Sequence, residues 1–147
     1  VLKRQLRLPE SKNNEVKKYE PKIFRPYKIL IVEDNKVNML LVKTLINKIN
    51  PNAIIHEAYD GLEAIDIFTK ETADLILMDI QMPNKNGYEA TVEIRKTEKG
   101  LKTPIIAITA GILAHEREKC FEEGMNDYLS KPINIDDLEA ILMKWLV

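Results

Sequence analysis

The chain has 147 residues, of which 45% are hydrophobic and 31% are charged, and its formal net charge is −1. This length and apolar content predict one ordinary domain, alone or with a tail, and exclude disorder of the whole chain. No apolar run is long enough to cross a membrane, and the basic N-terminus lacks the apolar stretch of a signal peptide. The single cysteine, Cys120, cannot form an internal disulfide, so we expect a reducing, cytoplasmic setting.

The first 28 residues differ in charge from the rest, because they carry nine basic and three acidic groups. Between Pro9 and Pro26 there is no helical or alternating apolar period, which favours a linker or extended arm over residues 1–26. Ser, Asn and Glu dilute the basic groups, so we expect a tether without nucleic-acid binding or membrane insertion. Because the chain begins with Val1 rather than Met, we expect it to be a piece of a longer protein, whose other parts could include a membrane anchor.

Short apolar runs alternate with helical patterns from Lys28 onward. The predicted strands are 29–32, 53–55, 75–78, 105–108 and 128–129. The predicted helices are 36–49, 60–71, 87–98, 112–123 and 134–146. Strands that are apolar on both faces, each followed by one helix, favour a parallel sheet covered on both sides. The predicted domain, 27–147, is therefore an α/β doubly wound (βα)5 fold with the strand order 2-1-3-4-5.

Polar residues follow four of these strands. Glu33 and Asp34 come after the first strand, Asp79 after the third, Thr109 after the fourth and Lys131 after the fifth. With this strand order they converge at the carboxyl edge of the sheet, where open α/β folds bind ligands. Crowded carboxylates repel, and a hard divalent cation such as Mg²⁺ takes oxygen ligands of this kind. The other two side chains could donate to phosphoryl oxygens, and the aspartate of the third strand could carry an acyl phosphate.

Four motifs in this order resemble the receiver domains of response regulators. They read IVEDN at 31–35, LMDIQMP at 77–83 followed by Gly87, ITA at 108–110 and YLSKP at 128–132. The resemblance covers about residues 27–147 and implies the flavodoxin-like receiver fold. Within the family, the chain most resembles the C-terminal receiver of a hybrid sensor histidine kinase.

The resemblance assigns the acceptor and the metal ligands. Asp79 would be the phosphoacceptor, and Glu33 and Asp34 would be the acidic pair. Asp34, Asp79 and the backbone carbonyl of Gln81 would ligate Mg²⁺, with Glu33 completing the acidic site.

The resemblance also implies how the phosphoryl group is held and sensed. Thr109 would donate a hydrogen bond to one phosphoryl oxygen, and Lys131 would pair with another. The Lys131–Pro132 peptide bond would be cis. Movement of Thr109 would accompany a rotamer change of Tyr128, which alters the face made by the fourth helix, fifth strand and fifth helix.

The implied function is a signalling switch that takes its phosphoryl group from the phosphohistidine of a histidine kinase or a His-phosphotransfer domain. The first alternative is a free-standing single-domain response regulator. From another class, a Mg²⁺-dependent aspartyl-phosphate hydrolase and a binding module with an inactive pocket stay open. A hydrolase of the haloacid-dehalogenase kind would have Asp where this chain has Gln81, and the glycine-rich loops of dinucleotide and P-loop proteins do not occur.

The first predicted helix has more apolar residues than one buried face needs. At 100° per residue, the arc expected to face the sheet contains Asn38, Leu41, Val42, Leu45, Ile46 and Ile49. Surplus residues in the first turns, next to the acidic loop, are a candidate docking patch for a helix bearing phosphohistidine; they are Val37, Met39 and Leu40. The alternative is that they pack under a neighbouring loop.

Two loops depart from the usual receiver pattern. Asn84-Lys85-Asn86 precedes Gly87, where an apolar residue and Asp are more common, and we expect an effect on phosphotransfer specificity. Gly111 stands where larger or polar residues are common, and with Gln81 it could set the lifetime of the phosphoryl group. We interpret His115 as a surface helix residue rather than a phosphorylated histidine, and His56 as structural.

Overall fold

Strands and helices alternate along the computed structural model, which describes residues 19–82, 84–111 and 114–147. The strands are β1 (Lys28–Val32), β2 (Ile54–Ala58), β3 (Leu75–Asp79), β4 (Ile105–Thr109) and β5 (Asp127–Ser130). The helices are α1 (Lys36–Ile49), α2 (Gly61–Glu71), α3 (Gly87–Arg95), α4 (Ala114–Glu122) and α5 (Ile135–Leu146), with a 3₁₀ turn at Lys99–Leu101. None of the helices in these ranges is long and apolar enough to span a membrane.

The five strands form one parallel sheet in the order β2-β1-β3-β4-β5, which confirms the predicted topology. Val32 of β1 pairs with Met78 of β3, and Asp79 pairs with Ile108 of β4. This register brings the ends of the central strands level at one edge. The loops that follow β1, β3, β4 and β5 therefore meet there.

Two apolar layers cover the sheet, one on each face. Successive side chains of a strand point to opposite faces, so Ile29 and Ile31 join one layer while Leu30 and Val32 join the other. The first layer includes residues of α1 and α5, and the second includes residues of α2, α3 and α4. β3 and β4 are buried along their whole length, and their sequences are apolar up to the last residue of each strand, which is Asp79 in β3 and Thr109 in β4.

Some element boundaries differ from the predicted ones. The third helix ends at Arg95 instead of residue 98, and the 3₁₀ turn follows it. The second strand extends to Ala58 and includes His56, because an edge strand tolerates polar side chains that a central strand would not. The first two residues predicted for the fourth helix, 112 and 113, lie outside the described residues.

Part of the predicted N-terminal arm contacts the domain. Residues 1–18 lie outside the described residues. Residues 19–26 form no helix or strand, and of these Tyr19 and Ile23 pack against the apolar layer that contains α1 and α5. Ile23 is buried in the layer that contains α1 and α5. The side-chain amides of Asn50 and Asn52 donate to the carbonyls of Arg25 and Phe24 at 2.8 and 2.7 Å. Isolated apolar residues in a polar stretch produce no period, so the sequence pattern does not predict this packing.

The side chain of Arg95 joins the segments that lead into β4 and β5. Its Nε donates to the Gly124 carbonyl at 2.9 Å, and its Nη2 donates to Asn126 Oδ1 at 2.7 Å. Its Nη1 donates to the carbonyls of Gly100 and Thr103 at 2.5 and 2.6 Å. One guanidinium thus fixes the starts of the two strands whose far ends lead to the predicted site.

Replacing Arg95 with Leu should lower the free energy of unfolding by about 2–4 kcal/mol, because several partly buried acceptors lose their donor at once. The matched control is Lys96→Leu, whose ammonium makes an exposed ion pair with Glu93. The control should change stability by less than about 1 kcal/mol. Urea titration followed by circular dichroism measures both, and equal losses would contradict the role assigned to Arg95.

Candidate functional site

Three carboxylates meet at the carboxyl edge of the sheet. Glu33 and Asp34 follow β1, and Asp79 is the last residue of β3; one oxygen from each lies within 4.8 Å of the others. Glu33 and Asp79 are 1% and 3% exposed, whereas Asp34 is exposed. The structure thus brings together the acidic residues that the sequence predicted to converge.

The ammonium of Lys131 lies between the two buried carboxylates. Its Nζ is 3.1 Å from Asp79 Oδ2 and 3.1 Å from Glu33 Oε1. Burial opposes the charge of this ammonium, but the hydrogen bonds and the negative charges of both carboxylates outweigh burial and raise its pKa. The Lys131–Pro132 peptide bond is cis, as the resemblance implies.

Backbone N–H groups bind the remaining oxygens of the two buried carboxylates. The N–H of Asn35 donates to Glu33 Oε2 at 3.1 Å, and the N–H of Gln81 donates to Asp79 Oδ1 at 3.0 Å. Each buried carboxylate is therefore held at both oxygens, by one backbone donor and by Lys131. Asn35 is also the N-cap of α1, because its Oδ1 accepts from the N–H of Asn38 at 3.0 Å.

Asp34 is the carboxylate that faces solvent. Partial desolvation, followed by the hydrogen bond and the negative charge of Glu33, raises the pKa of its carboxyl. With all groups ionised, the three carboxylates and the single ammonium of Lys131 leave an excess of negative charge. Carboxylate oxygens with such an excess suit a hard divalent cation, which neutralises the cluster and keeps several waters. The donor set therefore fits Mg²⁺.

Thr109 is buried at the end of β4, and its hydroxyl is bonded within the following loop. Oγ1 is 2.9 Å from the Gly111 carbonyl and 3.3 Å from Glu116 Oε2 on α4, and it accepts from the N–H of Gly111 at 3.2 Å. Sequence reasoning predicted Thr109 but not Glu116. The signal available was weak: an acid in the first turn of α4, the helix that follows the threonine loop.

Tyr128 lies on β5 at the contact with α4. Its hydroxyl accepts from Arg117 Nη1 at 3.2 Å, and the guanidinium carbon lies 5.5 Å from the ring centroid. The ring is half-buried and packs against the layer that includes Cys120 and Met125. His115, on the same helix as Arg117, is exposed, in agreement with the surface position predicted for it.

The predicted docking patch on α1 needs correction. Val37 and Leu40 are 76% and 63% exposed, but Met39 is buried, so the prediction for Met39 is wrong. Leu41, which we expected to face the sheet, is 44% exposed. The physical reason is that α1 is rotated about its axis relative to the predicted orientation, so that Met39 faces the sheet and Leu41 faces solvent. The buried residues of α1 are Met39, Val42, Ile46 and Ile49.

The corrected patch consists of Val37, Leu40 and Leu41, and it continues into a cavity of about 290 Å³ beside the acidic cluster. The cavity is bounded by α1 on one side and by the loop after β5 on the other. Its lining comprises Glu33, Asn38, Leu41, Val42, Lys131, Pro132 and Ile133. Apolar surface of α1 is therefore continuous with charged groups of the site.

In the loop before α3, where the sequence departs from the usual receiver pattern, Asn84 and Asn86 each have a local structural role. Asn84 has a φ of 66°, a left-handed conformation that asparagine tolerates, and its Nδ2 donates to Asp60 Oδ2 at 3.1 Å. Asn86 caps α3, because its Oδ1 accepts from the N–H of Glu89 at 2.9 Å. Pro83 of the same motif lies outside the described residues.

Gly87 is required by a close backbone approach. A Cβ built on this residue would overlap the carbonyl oxygen of Asp79 and come within 2.7 Å of Ile80 Cα. The start of α3 therefore lies directly against the end of β3, next to the candidate acceptor.

Residues 29–143 match the family model of the response regulator receiver domain, and the chain belongs to this family. It is 38% identical over 124 residues to the sensor protein GacS of Pseudomonas syringae pv. syringae, covering 82% of this chain but 14% of that protein. The family assignment does not favour the hydrolase alternative.

Two solved receiver structures are similar to the whole domain. The receiver of the sensor histidine kinase PA1611 from Pseudomonas aeruginosa PAO1, solved with a magnesium ion in its active-site cleft, has a TM-score of 0.75 and 40% identity; the match covers 82% of this chain and 98% of that one. The receiver of Ssk1 from Saccharomyces cerevisiae, solved with the histidine phosphotransfer protein Ypd1, has a TM-score of 0.76 and 34% identity, covering 84% and 91%.

Replacing Lys131 with Met should lower the free energy of unfolding by about 1–3 kcal/mol, because the buried carboxylates of Glu33 and Asp79 would both lose the same partner. Lys144→Met is the matched control, since that ammonium is 63% exposed and pairs with Asp127 at 3.1 Å. The control should cost no more than about 1 kcal/mol. Chemical unfolding in the absence of divalent cations measures the difference, and an unaffected Lys131→Met protein would refute this account of the charge balance.

Proposed function

We propose that the chain is a phosphorylation-dependent signalling switch in which Asp79 is the phosphoacceptor. The observation that carries this proposal is the position of its carboxylate, which ends β3 inside the acidic cluster and is hydrogen-bonded to Lys131. One carboxylate oxygen would attack phosphorus, forming an O–P bond as the N–P bond of a phosphohistidine breaks. The donor imidazole leaves and takes up a proton from solvent, so the step needs positioning and charge neutralisation rather than a strong base on the receiver.

Mg²⁺ is the proposed cofactor. Asp34, Asp79 and the backbone carbonyl of Gln81 would ligate it, with Glu33 completing the acidic site. When bound, the ion supplies positive charge to the carboxylates and to the transferring phosphoryl oxygens. Support comes from the excess negative charge of the cluster and from the magnesium ion in the cleft of the similar Pseudomonas aeruginosa receiver.

Lys131 and Thr109 are proposed to hold the product. Lys131 already bonds Asp79 Oδ2, so a small shift would let its ammonium pair with a phosphoryl oxygen. Thr109 would leave the Gly111 carbonyl and donate to another phosphoryl oxygen. Movement of the threonine and a rotamer change of Tyr128 would shift a pre-existing equilibrium in the face formed by α4, β5 and α5.

A histidine kinase or a His-phosphotransfer domain is the proposed donor, and a hybrid sensor histidine kinase is the proposed parent protein. The relation to the sensor protein GacS supports this parent, and the receiver solved with Ypd1 supports a phosphotransfer partner. A cytoplasmic location and the lack of nucleic-acid binding stay predictions.

The proposed docking surface for the donor is the patch Val37, Leu40 and Leu41 together with the adjoining cavity. It presents exposed apolar side chains next to the acceptor, and such surfaces on soluble domains mark contacts with other proteins. An apolar helix face could cover the patch while its phosphohistidine reaches the acidic cluster.

Asp79→Asn should abolish phosphorylation by acetyl phosphate while the fold is retained, because an amide oxygen is not a sufficient nucleophile. Intact-protein mass spectrometry with and without Mg²⁺ measures the adduct. Asp66→Asn, which changes an exposed carboxylate on α2, should be labelled like the wild type. Mg²⁺-dependent labelling of Asp79→Asn would overturn the acceptor assignment.

Leu40→Asp should slow phosphotransfer from a His-phosphotransfer protein by about tenfold or more, as expected when a charge enters an apolar contact. Phosphorylation by acetyl phosphate should be unchanged, since this small donor needs no docking surface. The matched control, Leu62→Asp, alters an exposed leucine on α2 and should affect neither rate. Rapid-quench phosphotransfer assays compare the variants, and equal slowing with both donors would contradict the docking proposal.

A further inference from the structure

A carboxylate outside the acidic cluster engages the candidate switch residue. Glu116, in the first turn of α4, places Oε2 3.3 Å from Thr109 Oγ1. Thr109 is 4% exposed, so this contact lies at the buried end of β4 rather than on the open surface. The Glu116 side chain is itself half-buried.

The contact with Glu116 matters because the Thr109 hydroxyl can donate only one proton to a hydrogen bond. A hydroxyl has one proton to donate, and here that proton is shared between the Gly111 carbonyl at 2.9 Å and the Glu116 carboxylate at 3.3 Å. The same oxygen already accepts from the N–H of Gly111. A phosphoryl oxygen on Asp79 could accept that proton only after both acceptors in the loop and helix release it.

The glycine at 111 makes room for the glutamate. A Cβ at this position would lie 3.0 Å from Glu116 Oε2, which is tighter than ordinary van der Waals contact. The glycine at position 111, where the usual receiver pattern has a larger residue, therefore leaves the space that the Glu116 carboxylate occupies. A larger side chain there would compete with the carboxylate for the space beside Thr109.

We propose that Glu116 is a positioning residue that holds the Thr109 hydroxyl in the unphosphorylated arrangement, in competition with the phosphoryl group. The inference rests on the proposed roles of Asp79 and Thr109. By linkage, any contact present only before phosphorylation weakens the binding of a phosphoryl group or its mimic. Loss of Glu116 would therefore favour the phosphorylated arrangement without adding a contact to it.

The test uses beryllofluoride with Mg²⁺ as the phosphoryl mimic, titrated by isothermal calorimetry and ¹⁹F NMR. Glu116→Ala should bind the mimic about 2- to 10-fold more tightly than wild type, the range expected when one competing hydrogen bond is removed. Glu116→Gln keeps an acceptor but loses the charge, so its affinity should fall between the two. Glu118→Ala removes an exposed carboxylate from the same helix and should bind like wild type.

A double-mutant cycle separates action through Thr109 from a general charge effect. In a Thr109→Val background, which lacks the hydroxyl, Glu116→Ala should no longer tighten binding. Persistence of the full effect in that background would overturn the proposal, as would equal affinities of Glu116→Ala and Glu118→Ala. Absence of mimic binding to wild type, or binding that survives Asp79→Asn, would instead contradict the proposed function.

Discussion

The structure depends on the ion pairing of two buried carboxylates with one ammonium at the end of a parallel sheet. Burial of a carboxylate is costly unless its oxygens are paired, and Lys131 pairs with both Glu33 and Asp79 while backbone N–H groups hold their other oxygens. Asp34 adds a further negative charge at the solvent edge. Strand order sets this arrangement, because β1 and β3 are neighbours and the loop after β5 reaches across β4. The resulting excess of negative charge is what makes the edge suitable for a divalent cation and, with it, a phosphoryl group.

The groups proposed to sense phosphorylation are hydrogen-bonded to residues of α4 and of the loop after β4. The Thr109 hydroxyl is committed to Gly111 and Glu116, and the Tyr128 ring is associated with Arg117 on α4. Both arrangements involve α4, so a change at the threonine and a change at the tyrosine affect the same helix. Hydrogen bonds of modest strength suit a switch, because a ligand can shift the equilibrium only between two states whose free energies differ by a few kcal/mol.

Much of the fold and of the acidic site follows from the sequence, for a physical reason. Strands buried on both faces must be apolar throughout, and parallel strands end at one edge, so the polar residues after β1, β3, β4 and β5 were expected to meet. The sequence pattern does not predict the features that depend on tertiary packing. Met39 is buried and Leu41 exposed because the inward stripe of α1 depends on how the helix is rotated against the sheet. Ile23 is buried by contacts with the domain that no local pattern encodes, and an acid in the first turn of α4 is only a weak signal of the contact between Glu116 and Thr109.

Chemical identification of the phosphorylated residue shows whether Asp79 is the acceptor. Borohydride reduces an aspartyl phosphate to homoserine, which peptide mass spectrometry can locate after the wild-type protein has reacted with acetyl phosphate and Mg²⁺. We expect homoserine at position 79 and unmodified aspartate at position 34. Homoserine at position 34, or a phosphoryl group that resists reduction and maps to another side chain, would contradict the assignment of Asp79 as the acceptor.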